Sequence, residues 1–373
     1  MDALMLPLNW QRVRLGDIGK PCMCKRVMKH QTTRYGEIPF YKIGTFGNTA
    51  DTFISKKLFL EYKTKYSFPK KGDILISASG TIGRAVIYDG KPAYFQDSNI
   101  VWIDNDETLV KNDFLFYAYS NVKWNTEHTT ILRLYNDNFR NTLIPLPPLN
   151  EQSTIANILS GLDRYLCALD ALILKKEGVK KALSFELLSQ RKRLKGFNQA
   201  WQRVRLGDIA NYLTSNLSVE QITQQGKIKV YDVNNFIGYT DTTFISDKPY
   251  ISIVKDGSVG RVRILPPKTN ILSTMGALIA NHRTTTEFLF YLLSNFDFKN
   301  FTSGSIIPHI YFKDYKEKTI FLPPLNEQSA IANILSDLDN EITSLKNKKR
   351  QFENIKKALN HDLMSAKIRV LEK

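Results

Sequence analysis

Two stretches of this chain place apolar side chains at steps of three and four, with polar residues between them. Ile155, Ile158, Leu159, Leu162, Leu166, Leu169, Leu172, Ile173, Val179 and Leu183 form the first stripe. Ile331, Ile334, Leu335, Leu338, Ile342, Leu345, Phe352, Ile355, Leu359 and Leu363 form the second. A stripe of that period predicts an amphipathic helix. Pro147 and Pro148 stop what precedes the first run. Asn150 then reads as the N-cap, and Glu151 sets a negative charge at the positive end of the helix dipole. About 40 residues rising ~1.5 Å each make a rod of roughly 60 Å. A rod with one apolar stripe needs a partner, and the other copy supplies it. Antiparallel pairing follows if the two globular blocks lie at opposite ends.

Outside the rods the pattern changes to short apolar runs broken by turn residues, which predicts α/β blocks over 10–146 and 201–322. "GDILISASGTIGRAVIY" at 72–88 reads as strand, glycine turn, strand, and "ISIVKDGSVGRVRIL" at 251–265 is its counterpart. Both hold Gly-x-x-Gly-Arg: Gly80, Gly83 and Arg84, then Gly257, Gly260 and Arg261. Glycines let a backbone turn tightly and approach a phosphate, and an arginine can fork onto a phosphate or a guanine edge. A plain hairpin turn is the other reading. No Gly-Lys-Ser/Thr follows, so this is not a Walker loop.

The two halves echo each other throughout. "WQRVRLGDI" stands at 10–18 and again at 201–209, an offset of 191. "PPLNEQSTIANILSGLD" at 147–163 recurs as "PPLNEQSAIANILSDLD" at 323–339, and "LLSQRKRL" at 187–194 lies over "LMSAKIRV" at 363–370, both at 176. The second half has therefore lost 15 residues after Ile209. Two units of this length make a pseudo-symmetric pair, not a solenoid. The expectation is a mixed α+β chain: two pseudo-symmetric α/β domains, 1–146 and 197–322, separated by an antiparallel pair of long coiled-coil helices, 147–196 and 323–373. Identical segments such as Trp10/Trp201, Leu15/Leu206 and Ile18/Ile209 then belong to the scaffold. "NTEHTTILRLY" at 125–135 and "FTSGSIIPHIY" at 301–311 diverge on it. Divergent loops on a repeated frame suit two different recognition tasks.

Charge narrows the partner. Fifty-two Lys and Arg against 36 Asp and Glu leave +16, a balance that points to a polyanion, most often nucleic acid. The basic runs 174–181, 191–195 and 345–350 read chiefly as solvated helix faces. The amino terminus lacks the basic and apolar regions of a signal peptide, and no apolar run approaches the ~20 residues of a membrane span. Three cysteines suit a reducing cytoplasm. Cys22, Cys24 and His30 lack a fourth ligand for zinc.

Catalytic tools are missing from the sequence. There is no Asn/Asp-Pro-Pro-Tyr/Phe methyltransferase tetrad and no Rossmann glycine loop. Glu61-Tyr62-Lys63 after Asp51 has the order of a nuclease cluster, but on no clear buried strand and without a copy. The chain reads as a recognition protein without a catalyst.

Tandem variable blocks that open with Trp…Leu-Gly-Asp-Ile and close in "IPLPPLNEQ" (144–152) or "IFLPPLNEQ" (320–328) before a long helix resemble the specificity subunits of type I restriction–modification systems. The resemblance covers essentially the whole chain. It implies two target-recognition domains, each reading one half of an asymmetric split sequence in double-stranded DNA. It implies a complex with two methyltransferase (modification) subunits and, through them, restriction/translocase subunits. S-adenosylmethionine, ATP and Mg would then be held by those partners and no cofactor by this chain. Base edges in the major groove are read by polar side chains on loops. The candidates are Ser79, Thr81, Arg84, Gln96 and Arg133 in the first block, and Lys255, Ser258, Arg261, Ser303, Ser305 and His309 in the second. A stand-alone two-domain DNA-binding regulator and a structural adaptor clamping partner proteins are the alternatives.

Overall fold

The computed structural model describes residues 6–126 and 132–370. The chain forms two compact units, one from residues 1–169 with 348–373, the other from 170–347. Each contains the start of one long helix and the end of the other.

The first long helix runs Leu149–Leu188 and the second Leu325–Met364. Both begin one residue before the expected N-cap. Asn150 and Asn326 lie inside the first turn, where each Oδ1 accepts from the next residue's N–H at 2.9 Å. Pro148 and Pro324 stand at the cap instead, their carbonyls accepting from Gln152 and Gln328 N–H at 2.9 Å. Ile155, Leu159, Leu169 and Ile173 of the stripe are buried, but Ile158, Leu172 and Val179 are exposed, as is Ile355 in the copy. Ala156 and Ala332 take the buried places instead, because a helix–helix contact is narrower than a globular face.

Within each unit the helix segments run antiparallel. In the first, Arg369 reaches Glu151, Lys356 reaches Asp163, and Phe352 packs on Tyr165 with ring centroids 4.7 Å apart. In the second, Arg193 meets Glu327, Lys346 meets Glu177 at 2.6 Å, and Lys176 meets Glu341 at 2.8 Å. The basic runs are thus not merely solvated faces, since several of their cations are spent between helices. The more exposed of these pairs contribute little each, ~0–1 kcal/mol.

Two side-chain clusters recur in both units. The indole Nε1 of Trp10 donates to Glu151 Oε2 at 3.1 Å, and Arg369 grips the same carboxylate through Nε (2.9 Å) and Nη2 (3.1 Å). Trp201 donates to Glu327 at 2.9 Å, and Arg193 grips it at 3.2 and 2.7 Å. The following glutamine ties down loops: Gln152 bonds the backbone at Leu109, Lys111 and Pro147, and Gln328 that at Arg283, Thr285 and Pro323. Higher along the rods, Tyr117, Asp163 and Lys356 match Tyr291, Asp339 and Lys180. Burial, reinforced by the bond to the aspartate, pushes both phenols up.

The globular parts share one plan. The nonapeptide strand, Gln11–Arg14 or Gln202–Arg205, pairs antiparallel with the strand before the prolines, Leu143–Leu146 or Thr319–Leu322. Next comes a four-stranded antiparallel sheet. In the first unit its order is Gly19–Met23, Ile100–Asn105, Ile74–Ser77, Ala85–Ile87; in the second it is Ala210–Thr214, Met275–Ala280, Tyr250–Val254, Val262–Leu265. A smaller sheet with one parallel pair completes each unit. Trp10, Leu15 and Ile18, like Trp201, Leu206 and Ile209, are buried in the main cores, so the repeated residues are scaffold. All but one of the missing residues can be placed. "TFIS" at 52–55 and 243–246 is still 191 apart, whereas the Gly80 and Gly257 turns are 177 apart. Helix Lys56–Lys65 lies in that interval, and the second unit has no helix there.

The last two strands of each four-stranded sheet form the Gly-x-x-Gly-Arg hairpin. Gly83 and Gly260 have φ of +83° and +80°, and each abuts an aromatic ring: a Cβ would lie 2.1 Å from Trp124 Nε1 or 2.6 Å from Phe298 Cδ2. Gly257 (φ +85°) has nothing within 4 Å. The second glycine is a packing requirement, and the first only a conformational one.

Two stability predictions follow from these clusters. Arg193→Ala leaves the fully buried Glu327 with one neutral donor, and urea unfolding should report a loss on the order of 3 kcal/mol; a loss under about 0.5 kcal/mol would remove the triad from its structural role. Gly257→Ala should cost roughly 1–2 kcal/mol for its left-handed backbone alone. Gly260→Ala should cost clearly more, and equal melting temperatures for the two would contradict the wedge.

Candidate nucleic-acid interface

The two loops singled out in each block meet. In the first unit Ser79 and Arg133 form an antiparallel bridge, flanked by Gly80 N–H to Leu132 O (3.3 Å) and Leu134 N–H to Ala78 O (2.9 Å). In the second, Asp256 and His309 form the bridge, flanked by Gly257 N–H to Pro308 O and Ile310 N–H to Lys255 O, both 2.9 Å. Ser79 is therefore the counterpart of Asp256, and Arg133 that of His309. One backbone frame carries two different pairs of side chains.

Around the first bridge lies a cleft of about 720 Å³ whose lining includes Arg26, Lys29, Arg34, Lys42 and Arg133 against one acid, Asp97. Gln96 and Arg133 share this cleft, but Gln96 spends its Oε1 on Ile43 N–H at 3.0 Å. Ser79 is buried and gives its hydroxyl to Asn99 Oδ1 at 2.7 Å, so it orients Asn99, which lines the cleft. Thr81 is exposed at the turn, and its carbonyl accepts from Ser77. Arg84 does not line the cleft; its Nη1 donates to Phe46 O at 2.9 Å. Residues 127–131 of the divergent loop lie outside the described residues.

Among the described residues the second unit differs at two of these positions. Lys29–Gln31 and Val219–Gln221 are equivalent turns, each closed by a backbone N–H onto the glutamine Oε1 (2.8 and 2.9 Å). Val219 and Asp232 stand where the first unit has Lys29 and Lys42. Its hairpin instead presents Arg261 and Ser258, both exposed, and Lys255, half-buried. Among the described residues Arg261 has no side-chain hydrogen bond or ion pair. Ser303 pairs with His309 through both backbone bonds, 2.9 and 2.7 Å, and Ser305 is exposed between them. His309 Nδ1 lies 2.7 Å from Asp256 Oδ1.

Sequence reasoning missed the basic segment 26–42 and Asp256. "CKRVMKHQTTR" was visible as a cluster, but only folding carries it to Arg133, about a hundred positions away. The nuclease-like trio is not a cluster: Glu61 pairs with Lys65 on a helix and Asp51 with Lys42. Cys24 is buried in an aromatic core, and desolvation pushes its thiol up to about 12. Among the described residues no group of three or more His, Cys, Asp or Glu could hold a metal ion, and no helix is long and apolar enough to cross a membrane.

Comparison with known proteins identifies the frame. The family model for the type I restriction modification DNA specificity domain matches residues 7–176 and 198–354. A Haemophilus influenzae protein, provisionally named a type I restriction enzyme specificity subunit, is 63% identical over 152 residues, a match that takes in 40% of each chain. The specificity subunit of the MjaVIII type I restriction enzyme of Methanocaldococcus jannaschii is 25% identical over 99% of this chain and 95% of its own. The fold is similar to that of the type I S subunit from M. genitalium, with a TM-score of 0.63 at 20% identity over 97% of this chain and 98% of that one. It is also similar to a chain from a structure on assembly of the type I system, at a TM-score of 0.59, 16% identity, and coverage of 96% and 98%. With two copies of the specificity domain covering most of its length, the chain belongs to the type I restriction–modification specificity subunits.

Proposed function

We propose that each unit reads one half of an asymmetric, two-part site in double-stranded DNA, and that methyl transfer and any cleavage reside on partner subunits. The observation that carries this reading is the bridged pair. An identical frame holds Ser79 and Arg133 in one unit and Asp256 and His309 in the other, as two readers of different half-sites require. Arg133 offers a forked donor that suits guanine N7 and O6. The basic cleft around it and the overall charge of +16 suit phosphates. Thr81, Arg84, Lys255, Ser258, Arg261, Ser303 and Ser305 flank the two bridges and would contact backbone or base edges. Ser79 and Gln96 act mainly by fixing the cleft wall.

In this reading two modification subunits bring S-adenosylmethionine, and restriction subunits bring ATP and Mg. A stand-alone regulator would bind its site without them, and an adaptor would not select DNA at all. A gel shift of the chain with and without its modification subunits separates the three, since strong sequence-selective binding should appear only on their addition. The purified chain alone should transfer no methyl group from S-adenosylmethionine; transfer by a partner-free preparation would refute this division of labour.

Arginine substitutions test the hairpins. Arg261→Ala should leave the melting temperature unchanged, because the side chain has no hydrogen-bond or ion-pair partner among the described residues, and should weaken binding by ~1–3 kcal/mol if it forks onto a guanine. If it meets only phosphate, affinity should fall equally for all sequences and the salt slope should shrink by about one. Arg84→Ala should lower stability as well, through loss of the bond to Phe46 O. Unchanged binding in both variants would exclude the Gly-x-x-Gly-Arg turn from the interface.

A further inference from the structure

His309 is held more tightly than a contact residue on a loop needs to be. Its Nδ1 meets Asp256 Oδ1 at 2.7 Å across the bridge, and its backbone exchanges both bonds with Ser303. Tyr311 lies 6.4 Å away with its ring at 23°, and a Cβ on Gly304 (φ +90°) would come within 3.0 Å of the imidazole Cδ2. The side chain nevertheless remains 36% exposed. An ionised carboxylate only accepts, so Nδ1 keeps the hydrogen, and Nε2 is the nitrogen left for a ligand.

We infer that Asp256 is a positioning residue that makes His309 a base reader of defined hydrogen-bonding state, the second unit's counterpart of Arg133. The inference rests on the reading of the two units as DNA recognition domains. With the ring neutral and Nδ1 protonated, Nε2 accepts, and it selects the amino group of adenine or cytosine. With the ring protonated, Nε2–H donates, and it selects guanine N7 or O6. Without Asp256 both tautomers are open to the neutral ring, and Nε2 discriminates poorly. The charged and titratable groups around the pair are Lys255 beside Asp256, Tyr311 against the ring, Lys313 over Tyr311 at 5.5 Å, and Tyr212, whose phenol is pushed up by burial and by the Asp256 charge. Arg133 carries donors only, so the first unit is a built-in control.

The test uses the full chain with its modification subunits, selecting from a pool of double-stranded DNA with randomised positions. One position of one half-site should show a defined preference, for adenine or cytosine where Nε2 accepts or for guanine where Nε2–H donates, and His309→Ala should abolish it with the other half-site constant. Asp256→Asn should flatten the preference at that position by about tenfold. A two-part preference left unchanged by His309→Ala overturns the inference. Uniformly weaker binding by Asp256→Asn with preferences intact would make the pair a loop staple, which also overturns it. Absence of any two-part preference in the unsubstituted complex would instead defeat the recognition-domain reading beneath it.

Discussion

A carboxylate withdrawn from water must be paired, and the architecture of this chain depends on meeting that requirement twice. Glu327 is fully buried and Glu151 nearly so; leaving either unpaired costs several kcal/mol. The tryptophan indole satisfies part of the demand, and an arginine fork satisfies the rest. The arginine is never supplied by the repeat that supplies the glutamate. Glu151 is held by Arg369 from the end of the second repeat, and Glu327 by Arg193 from the end of the first. The Tyr–Asp–Lys clusters obey the same exchange, with Lys356 on Asp163 and Lys180 on Asp339. Neither unit is complete on one copy of the repeat. The nonapeptide is repeated because its tryptophan is one of the groups that must converge on each glutamate.

The same exchange joins residues far apart in the sequence. In the second unit the arginine and the tryptophan are joined through a short continuous segment, and Arg193 also bonds Gln199 O at 2.8 Å. In the first unit no peptide bond joins them. Arg369 bonds Asn9 at 3.2 Å instead, and Leu6 and Val370 pack against the same core. Side chains do there what a covalent linker does in the other unit.

What was legible in the sequence divides along a physical line. The rods, the strand–turn–strand hairpins and the scaffold residues could be read because periodicity and identity are local signals: Leu159 and Leu335 are buried where the stripe puts them. The first helix starts at Leu149 and not after Asn150: Pro148 holds the cap position, and Asn150 lies inside the first turn with its Oδ1 accepting from Glu151 N–H. The stripe was overdrawn at Ile158, Leu172 and Ile355, since period alone does not report the width of a contact. The site was half legible. Divergence against a constant frame marked loops that the bridges join, but which side chains those bridges bring together is set by pairing across the fold. Asp256 was invisible until the bridge placed it on His309, and Ser79 looked like a reader until its hydroxyl was found committed to Asn99.

The same frame then separates two tasks that DNA-binding surfaces often merge. Gripping phosphate needs only positive charge; in the proposed reading the first unit's cleft offers it through Arg26, Lys29, Arg34 and Arg133, with Val219 standing in the second unit where the first has Lys29. Discriminating bases needs a side chain whose donors and acceptors are fixed in direction. In the proposed reading each unit has one at the bridge, set by a different device: an arginine that carries only donors in one, and an imidazole oriented by a carboxylate in the other. The bridge itself is made by backbone atoms, so one hairpin frame accommodates both side-chain pairs. The groups bonded to Glu151 and Glu327 are a tryptophan and an arginine in both halves, whereas the bridge carries Ser79 and Arg133 in one and Asp256 and His309 in the other.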